Sequence, residues 1–72
     1  SAKIFTKKNE IRINRVTVSK YRNNKYNLKT ICFVNKRGFC LNTIDKKIIF
    51  IDKWISNKKF VPKVGIKFLW KQ

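Results

Sequence analysis

Short apolar runs alternate with polar residues along most of this 72-residue chain, and turn-forming residues separate the runs. The runs are rich in Val, Ile, Thr and aromatic residues, which favour strands. Asn, Asp and Gly tolerate the backbone of tight turns, and they recur roughly every ten to twelve residues. Regular spacing of this kind predicts an all-β fold. The predicted turns lie at residues 23–24, 35–38, 45–47 and 56–59.

The pattern predicts five strands, at residues 10–22, 25–34, 38–44, 47–55 and 63–71. In the first, the alternation slips by one residue between Ile13 and Val16, which predicts a β-bulge. The second is apolar on both faces near its end, so we expect it to be central in the sheet. In the last, apolar residues alternate with Lys63, Lys67 and Lys71 on the opposite face. The expected fold is mostly β, a five-stranded antiparallel meander or barrel of OB-like or SH3-like character.

An α+β alternative remains open for residues 44–56. A stripe at helical spacing runs through this segment, formed by Ile44, Ile48, Ile51 and Ile55. A helix there would pack on a three-stranded sheet, whereas the high isoleucine content favours a strand. With either fold, the length indicates one small domain spanning residues 1–72, in which residues 1–9 are expected to be flexible.

The charge balance is the strongest indication of function. Nineteen Lys and Arg residues stand against three acidic residues, which gives a net charge of +16. Self-repulsion at this charge destabilises a compact state, and a polyanionic partner would relieve it. Nucleic acid is the commonest such partner. The abundance of Lys, Ile and Asn is typical of an AT-rich genome and indicates a phage, a virus, a low-GC bacterium or a parasite as the source.

The residue types that support catalysis are scarce. The chain has no histidine, and its three acids, Glu10, Asp45 and Asp52, form no obvious pair on one face. It has no glycine-rich phosphate loop, and two cysteines without histidine cannot complete a four-ligand zinc site. We therefore expect no enzymatic activity, no metal and no cofactor.

Cys32 and Cys40 are expected to stay reduced and to act as small apolar residues in strands. Lysine-rich surroundings could lower the pKa of the Cys40 thiol. A disulfide across a hairpin is the alternative. We expect a cytoplasmic protein, because the polar start gives no sign of a secretory signal and no apolar run could span a membrane. A Cys32–Cys40 disulfide would instead indicate secretion.

Basic residues alternate with aromatic ones in segments 20–26, 36–39 and 53–60. Lys and Arg bind phosphates, and exposed aromatic rings stack on unpaired bases. We expect most aromatic residues, including Phe33, Phe39, Phe50, Trp54, Phe68 and Trp70, to fill the core, and Tyr21 and Tyr26 to stack on bases. The predicted nucleic-acid-binding residues are Arg15, Lys20, Tyr21, Arg22, Lys25, Tyr26, Lys36, Arg37, Lys58 and Lys59.

The segment "SKYRNNKYN", residues 19–27, is nearly symmetric about its two central asparagines. A two-residue turn at Asn23–Asn24 would place the flanking side chains in facing pairs, Arg22 with Lys25 and Tyr21 with Tyr26. The tyrosine pair would stabilise a hairpin, whereas like charges facing each other would oppose it. The charge pair is therefore interpreted as a binding feature.

Two stretches resemble parts of known families. The stretch "TICFVNKRGFCLN" resembles the second hairpin of chemokines, although the paired N-terminal cysteines of that family are missing; the resemblance implies a secreted basic effector. The stretch "KRGFCLNTIDKKIIFIDKW" is similar in outline to the N-terminal DNA-binding domains of phage integrases. That resemblance implies a three-stranded sheet in the DNA major groove and a helix carrying Trp54. Neither stretch assigns the chain to a family.

The leading hypothesis is a small nucleic-acid-binding module with low sequence specificity, in which phosphate contacts supply most of the affinity. It leaves the choice between DNA and RNA open. The alternatives are a protein-interaction module, such as a phage or viral inhibitor of an acidic host protein, and a secreted chemokine-like effector. Exposed strand edges also allow a homodimer.

Overall fold

The computed structural model describes residues 2–22 and 27–69, which form one antiparallel sheet of five strands. The strands are β1 (Ala2–Phe5), β2 (Glu10–Arg22), β3 (Ile31–Val34), β4 (Phe39–Asn42) and β5 (Lys47–Ser56). Their order across the sheet is β1-β2-β5-β4-β3. β1 and β2 form a hairpin, β3, β4 and β5 form a meander, and β2 pairs with β5 to join the two. The predicted all-β, five-stranded antiparallel fold is confirmed.

The segment that permitted either a helix or a strand is β5, so the α+β alternative for residues 44–56 is wrong. The helix that the integrase resemblance implies is replaced by this strand. β5 pairs on both sides, with β2 and with β4, and Ile51 on it is fully buried. Pairing on both sides explains why isoleucine-rich β5 is extended despite its helical spacing, because β-branched side chains pack well within a sheet.

β1 is a strand that the pattern did not predict, since residues 1–9 were expected to be flexible. Ile4 of β1 lies opposite Ile11 of β2, and both side chains are fully buried. A run of four residues, "AKIF", is too short for its periodicity to indicate a strand by itself. Its conformation depends on the apolar contact with β2.

β3 lies at an edge of the sheet, so the prediction that it would be central is wrong. β5 and β4 separate β2 from β3, so the predicted hairpin does not continue as a β2–β3 ladder in the described residues. The turn itself, residues 23–26, lies outside the described residues. The apolar residues of β3 do not reflect a central position in the sheet. The register with β4 shifts between Ile31 and Phe33, and Ile31 is buried whereas Phe33 is 51% exposed.

The last predicted strand is interrupted. Residues 64–65 form a turn in which Gly65 has φ of 95°, a conformation that favours glycine. The amide N–H of Leu69 then donates to the carbonyl of Phe5 at 2.7 Å, and that of Phe68 donates to Lys29 at 2.7 Å. Residues 66–69 therefore link the two edge strands and give the sheet a barrel-like curl. Trp70 and Lys71 lie outside the described residues.

The core is built around Phe39 at the start of β4. Its ring centroid lies 5.1 Å from that of Trp54, 5.9 Å from Phe60 and 6.2 Å from Phe68. Phe39 and Phe68 are fully buried and Trp54 packs against the core, as the sequence predicts. Phe68 belongs to residues 66–69, which we call the closing segment because they link the two edge strands. The closing segment therefore also contributes a side chain to the core.

The predicted bulge in β2 is confirmed. The ladder between β2 and β5 pairs Ile13 with Trp54 and Val16 with Ile51, and it is irregular between these pairs. The two pairs are three residues apart on β2 and three residues apart on β5. The alternation between the two faces of the sheet therefore slips by one residue at this point on both strands. On β5, the irregularity keeps both Trp54 and Ile51 against the core, whereas on β2 Ile13 is buried and Val16 is 45% exposed.

Candidate functional site

Loops at one end of the sheet surround a groove of about 540 Å³. Three segments form it: the β1–β2 turn, the chain that follows β5, and the closing segment after Gly65. We call it the lysine groove, because five of its lining residues are Lys7, Lys8, Lys59, Lys63 and Lys67. A volume of this size is typical of ligand-binding clefts.

Hydrogen bonds fix the β1–β2 turn against the chain that follows β5. Thr6 Oγ1 accepts from the amide N–H of Asn9 at 2.9 Å and from that of Lys8 at 3.2 Å. The side-chain amide of Asn9 donates to the carbonyl of Lys58 at 3.0 Å. In return, Asn57 Oδ1 accepts from the amide of Glu10 at 3.0 Å. These bonds hold the lysines of the two segments on one rim.

The floor of the lysine groove is apolar, with Phe60, Val61 and Ile66. Phe60 is half-buried, and its ring packs against the rings of Phe39 and Phe68 in the core. Its position is therefore set by the core. The groove combines a rigid apolar floor with mobile cationic side chains, a combination found in surfaces that bind single-stranded nucleic acid.

No carboxylate of residues 2–22 and 27–69 lines the lysine groove. All three acidic side chains of the chain lie within the described residues, and each is paired with a cation outside the groove. Lys3 Nζ lies 3.9 Å from Glu10, Lys47 lies 3.5 Å from Asp45, and Arg15 lies 2.6 Å from Asp52. The positive charge of the groove is therefore left without an acidic partner in the chain.

Arg15, a predicted phosphate contact, forms a two-point ion pair on the sheet surface. Its Nε donates to Asp52 Oδ1 at 2.8 Å and its Nη2 donates to Asp52 Oδ2 at 2.6 Å. The hydrogen bond and the charge of Arg15 lower the pKa of Asp52, and nearby Arg37 lowers it further. Asp52 in turn raises the pKa of Arg15. Much of the charge of Arg15 is thus balanced within the chain.

The predicted residues Lys20, Tyr21 and Arg22 lie at the far end of β2, away from the lysine groove. Tyr21 is 66% exposed, with Lys20 Nζ 5.4 Å from its ring centroid. Arg22 lies opposite Lys47 in the ladder, and its Nη2 donates to the carbonyl of Asp45 at 3.2 Å. Their predicted partners, Lys25 and Tyr26, lie outside the described residues.

Lys36 and Arg37 lie in the exposed turn between β3 and β4. Asn35 Oδ1 shapes this turn by accepting from the amides of Arg37 at 2.8 Å and Gly38 at 3.0 Å. Lys58 and Lys59 follow β5, and of these two only Lys59 lines the lysine groove. The described members of the predicted set thus lie in separate regions of the surface.

The other four lysines of the groove were not among the residues predicted to bind nucleic acid. They are Lys7, Lys8, Lys63 and Lys67. Two similar tripeptides could have indicated part of it: Lys7-Lys8-Asn9 and Asn57-Lys58-Lys59 each place an asparagine beside paired lysines. Those asparagines make the hydrogen bonds that join the two loops. The pairing of these distant loops follows from the β2–β5 ladder, which the sequence did not predict.

Cys32 and Cys40 are both free, with Cys32 Sγ 3.7 Å from the carbonyl oxygen of Cys40. Burial raises the pKa of both thiols, and Cys32 raises that of Cys40 further. The expectation of a lowered pKa for Cys40 is therefore wrong, because the thiol is desolvated and lies beside Cys32. Residues 2–22 and 27–69 contain no cluster of three metal-ligating side chains and no helix that could cross a membrane.

Comparison of this chain with protein-family models, with curated proteins and with solved structures finds no match.

Proposed function

We propose that this chain is a small nucleic-acid-binding module that holds the phosphate backbone in the lysine groove. The observation that carries the proposal is the convergence of five lysines on an apolar floor that no carboxylate lines. Two stretches that are distant in sequence, residues 7–8 and 59–67, supply these lysines, so their convergence is a property of the fold. A net charge of +16 would also draw a polyanion to the surface from a distance.

The chemistry of the groove favours phosphate contacts over recognition of base edges. Lysine ammonium groups are flexible point charges, and contacts of this kind position nucleic acid without reading its sequence. The apolar floor around Phe60 offers an unpaired base or a sugar a surface that bases stacked within a duplex cannot reach. We therefore propose low sequence specificity and a module that accepts single strands.

Binding of labelled single-stranded oligonucleotides across a salt series tests the proposal. Five lysine–phosphate contacts to a single strand give a log–log slope of about −3.5, so affinity should fall by about 100-fold between about 50 and 200 mM salt. The groove variant Lys63→Gln/Lys67→Gln removes two contacts, and its slope should be about −2.1. Both lysines are exposed, so the folded state should persist.

Lys20→Gln/Lys46→Gln is the matched control, since it removes the same charge from exposed positions outside the groove. Its slope should stay near that of the unmodified protein. Equal changes in the two variants would show that net charge alone, without the groove, sets the affinity. Absence of binding to single- or double-stranded oligonucleotides at about 50 mM salt would overturn the proposed function.

A further inference from the structure

A second surface lies on the outer face of the sheet. In the ladders, Phe33 of β3 lies opposite Cys40 of β4, Cys40 lies opposite Phe50 of β5, and Phe50 lies opposite Thr17 of β2. Directly opposite residues share one face of a sheet. We call these four residues the outer row. Their chain neighbours Phe39 and Ile51 are fully buried, so the outer row is directed away from the core.

The outer row is accessible to a ligand. Phe33 is 51% exposed, Thr17 is exposed, and Cys40 and Phe50 are half-buried. The backbones of β3 and β5 are two strand spacings apart, about 10 Å, so Phe33 and Phe50 are not neighbours in the row. Phe33 is more than half exposed, and part of Phe50 is exposed as well. Isolated apolar residues are common on protein surfaces, but here two aromatic rings lie in one row.

Cations lie beside one side of the outer row. After Phe50, the next outward-facing residue of β5 is Asp52, and Arg15 of β2 forms an ion pair with it. A shallow cavity of about 410 Å³ at this point is lined by Arg37, Lys53 and Trp54 together with Asn14 and Asp52. Arg15 and Arg37 interact with this one carboxylate, and Lys53 lines the same cavity, so positive charge is in excess beside the exposed rings.

We propose that the outer row is a stacking platform for unpaired bases, and that Phe33 and Phe50 are its base-stacking residues. This inference rests on the proposed function and adds a choice of ligand, single-stranded over double-stranded nucleic acid. Stacking on aromatic rings requires a base with a free face, which a duplex does not offer along its length. Arg37 and Lys53 hold the phosphates on either side of the stacked base.

The chemistry of the surface favours nucleic acid over a protein partner. The cores of protein interfaces are depleted in charged residues, whereas this row lies directly beside three cations and one carboxylate. The lysine groove lies near the end of β5, and six residues of strand, about 20 Å, separate Phe50 from Ser56. The platform and the groove are thus distinct surfaces that can be tested separately.

The test compares Phe33→Ala with the unmodified protein on three probes: a short oligothymidylate, a duplex of the same length and inorganic polyphosphate. Polyphosphate carries the charge of a nucleic acid without bases. Loss of one stacked base should weaken oligothymidylate binding by roughly 5- to 150-fold. Binding to the duplex and to polyphosphate should stay within a factor of about two, because charge contacts are unchanged.

Two further variants separate stacking from other effects. Phe33→Tyr keeps an aromatic face and should retain oligothymidylate affinity, whereas Phe33→Leu keeps only the apolar bulk and should behave as Phe33→Ala. Ile44→Ala removes an exposed apolar side chain outside the outer row and should change nothing. Circular dichroism of each variant checks that the sheet is retained.

The outcomes distinguish this inference from the proposed function. If the unmodified protein binds oligothymidylate and Phe33→Ala binds it equally well, the platform is wrong and the groove proposal stands. Equal weakening on oligothymidylate and polyphosphate would also overturn the platform, since polyphosphate has no bases. If the unmodified protein binds none of the three probes, both proposals fail.

Discussion

Replacing Gly38 by alanine should remove much of the stability of the sheet. Gly38 is buried in the β3–β4 turn, immediately before β4. A Cβ atom built on Gly38 would lie 2.0 Å from the carbonyl oxygen of Ile51 and 2.9 Å from the Cα atom of Asp52. Both are backbone atoms of β5, so no side-chain rotation relieves the overlap.

The size of this loss of stability depends on how far the backbone of β4 must move away from β5. β4 would have to shift by about 1 Å or more from β5, at the point where Phe39 pairs with Ile51 in the centre of the core. Overpacking against a core typically costs about 1–3 kcal/mol, and more where the neighbour cannot yield. We expect a loss of about 3–5 kcal/mol, against a total of about 4–11 kcal/mol for a domain of 72 residues.

Urea unfolding followed by circular dichroism measures this loss. With a slope near 1 kcal/mol per molar urea, the midpoint should fall by about 3 M or more, or the variant should be unfolded without urea. Gly65→Ala is the matched control, because nothing lies within 4 Å of its Cβ position and only the φ of 95° opposes it. That change should cost about 1–2 kcal/mol. Equal stabilities of the two variants would refute the argument from packing at Gly38.

Two smaller predictions concern titrating groups. Because burial raises the pKa of Cys32 and Cys40, alkylation at about pH 8 should be slower in the folded than in the urea-unfolded protein and should accelerate with rising pH; equal rates would contradict the buried placement. Because Arg15 lowers the pKa of Asp52, the carboxylate stabilises the fold above the pKa of an unfolded aspartate, and this contribution is lost as the pH falls. Asp52→Asn should flatten the decline in thermal midpoint between about pH 5 and 2, and an unchanged decline would argue against the pair.

The sequence pattern predicted some strands of the structure correctly and missed others. Alternation and turn residues correctly placed β2, β4 and β5, and they located the bulge after Ile13. They did not predict β1, and within the predicted strand 63–71 the described residues 63–69 form a turn and isolated bridges instead. Both segments depend on contacts with other parts of the sheet. Ile4 needs Ile11, and Phe68 needs the core around Phe39. Local periodicity contains no information about such partners.

The candidate site was less predictable than the fold. Charge and the scarcity of acids indicated a polyanion, but of the eight selected residues that the structure describes, only Lys59 lines the lysine groove. The groove forms because β2 pairs with β5 and brings the β1–β2 turn beside the chain that follows β5. Phe33 and Phe50 were expected in the core. Instead, Phe33 is exposed on the edge strand β3, and Phe50 is half-buried on the outer face of β5.

The sequence by itself determined the all-β class, the turns and the excess of positive charge, since these follow from local periodicity, backbone preference and composition. Only the tertiary structure decided which strands are neighbours, which lysines converge and which aromatic rings stay exposed. Those outcomes depend on pairing residues far apart in the chain, such as Ile13 with Trp54. Such pairings depend on how the apolar side chains of the whole chain can be buried together, so they cannot be deduced from any one segment.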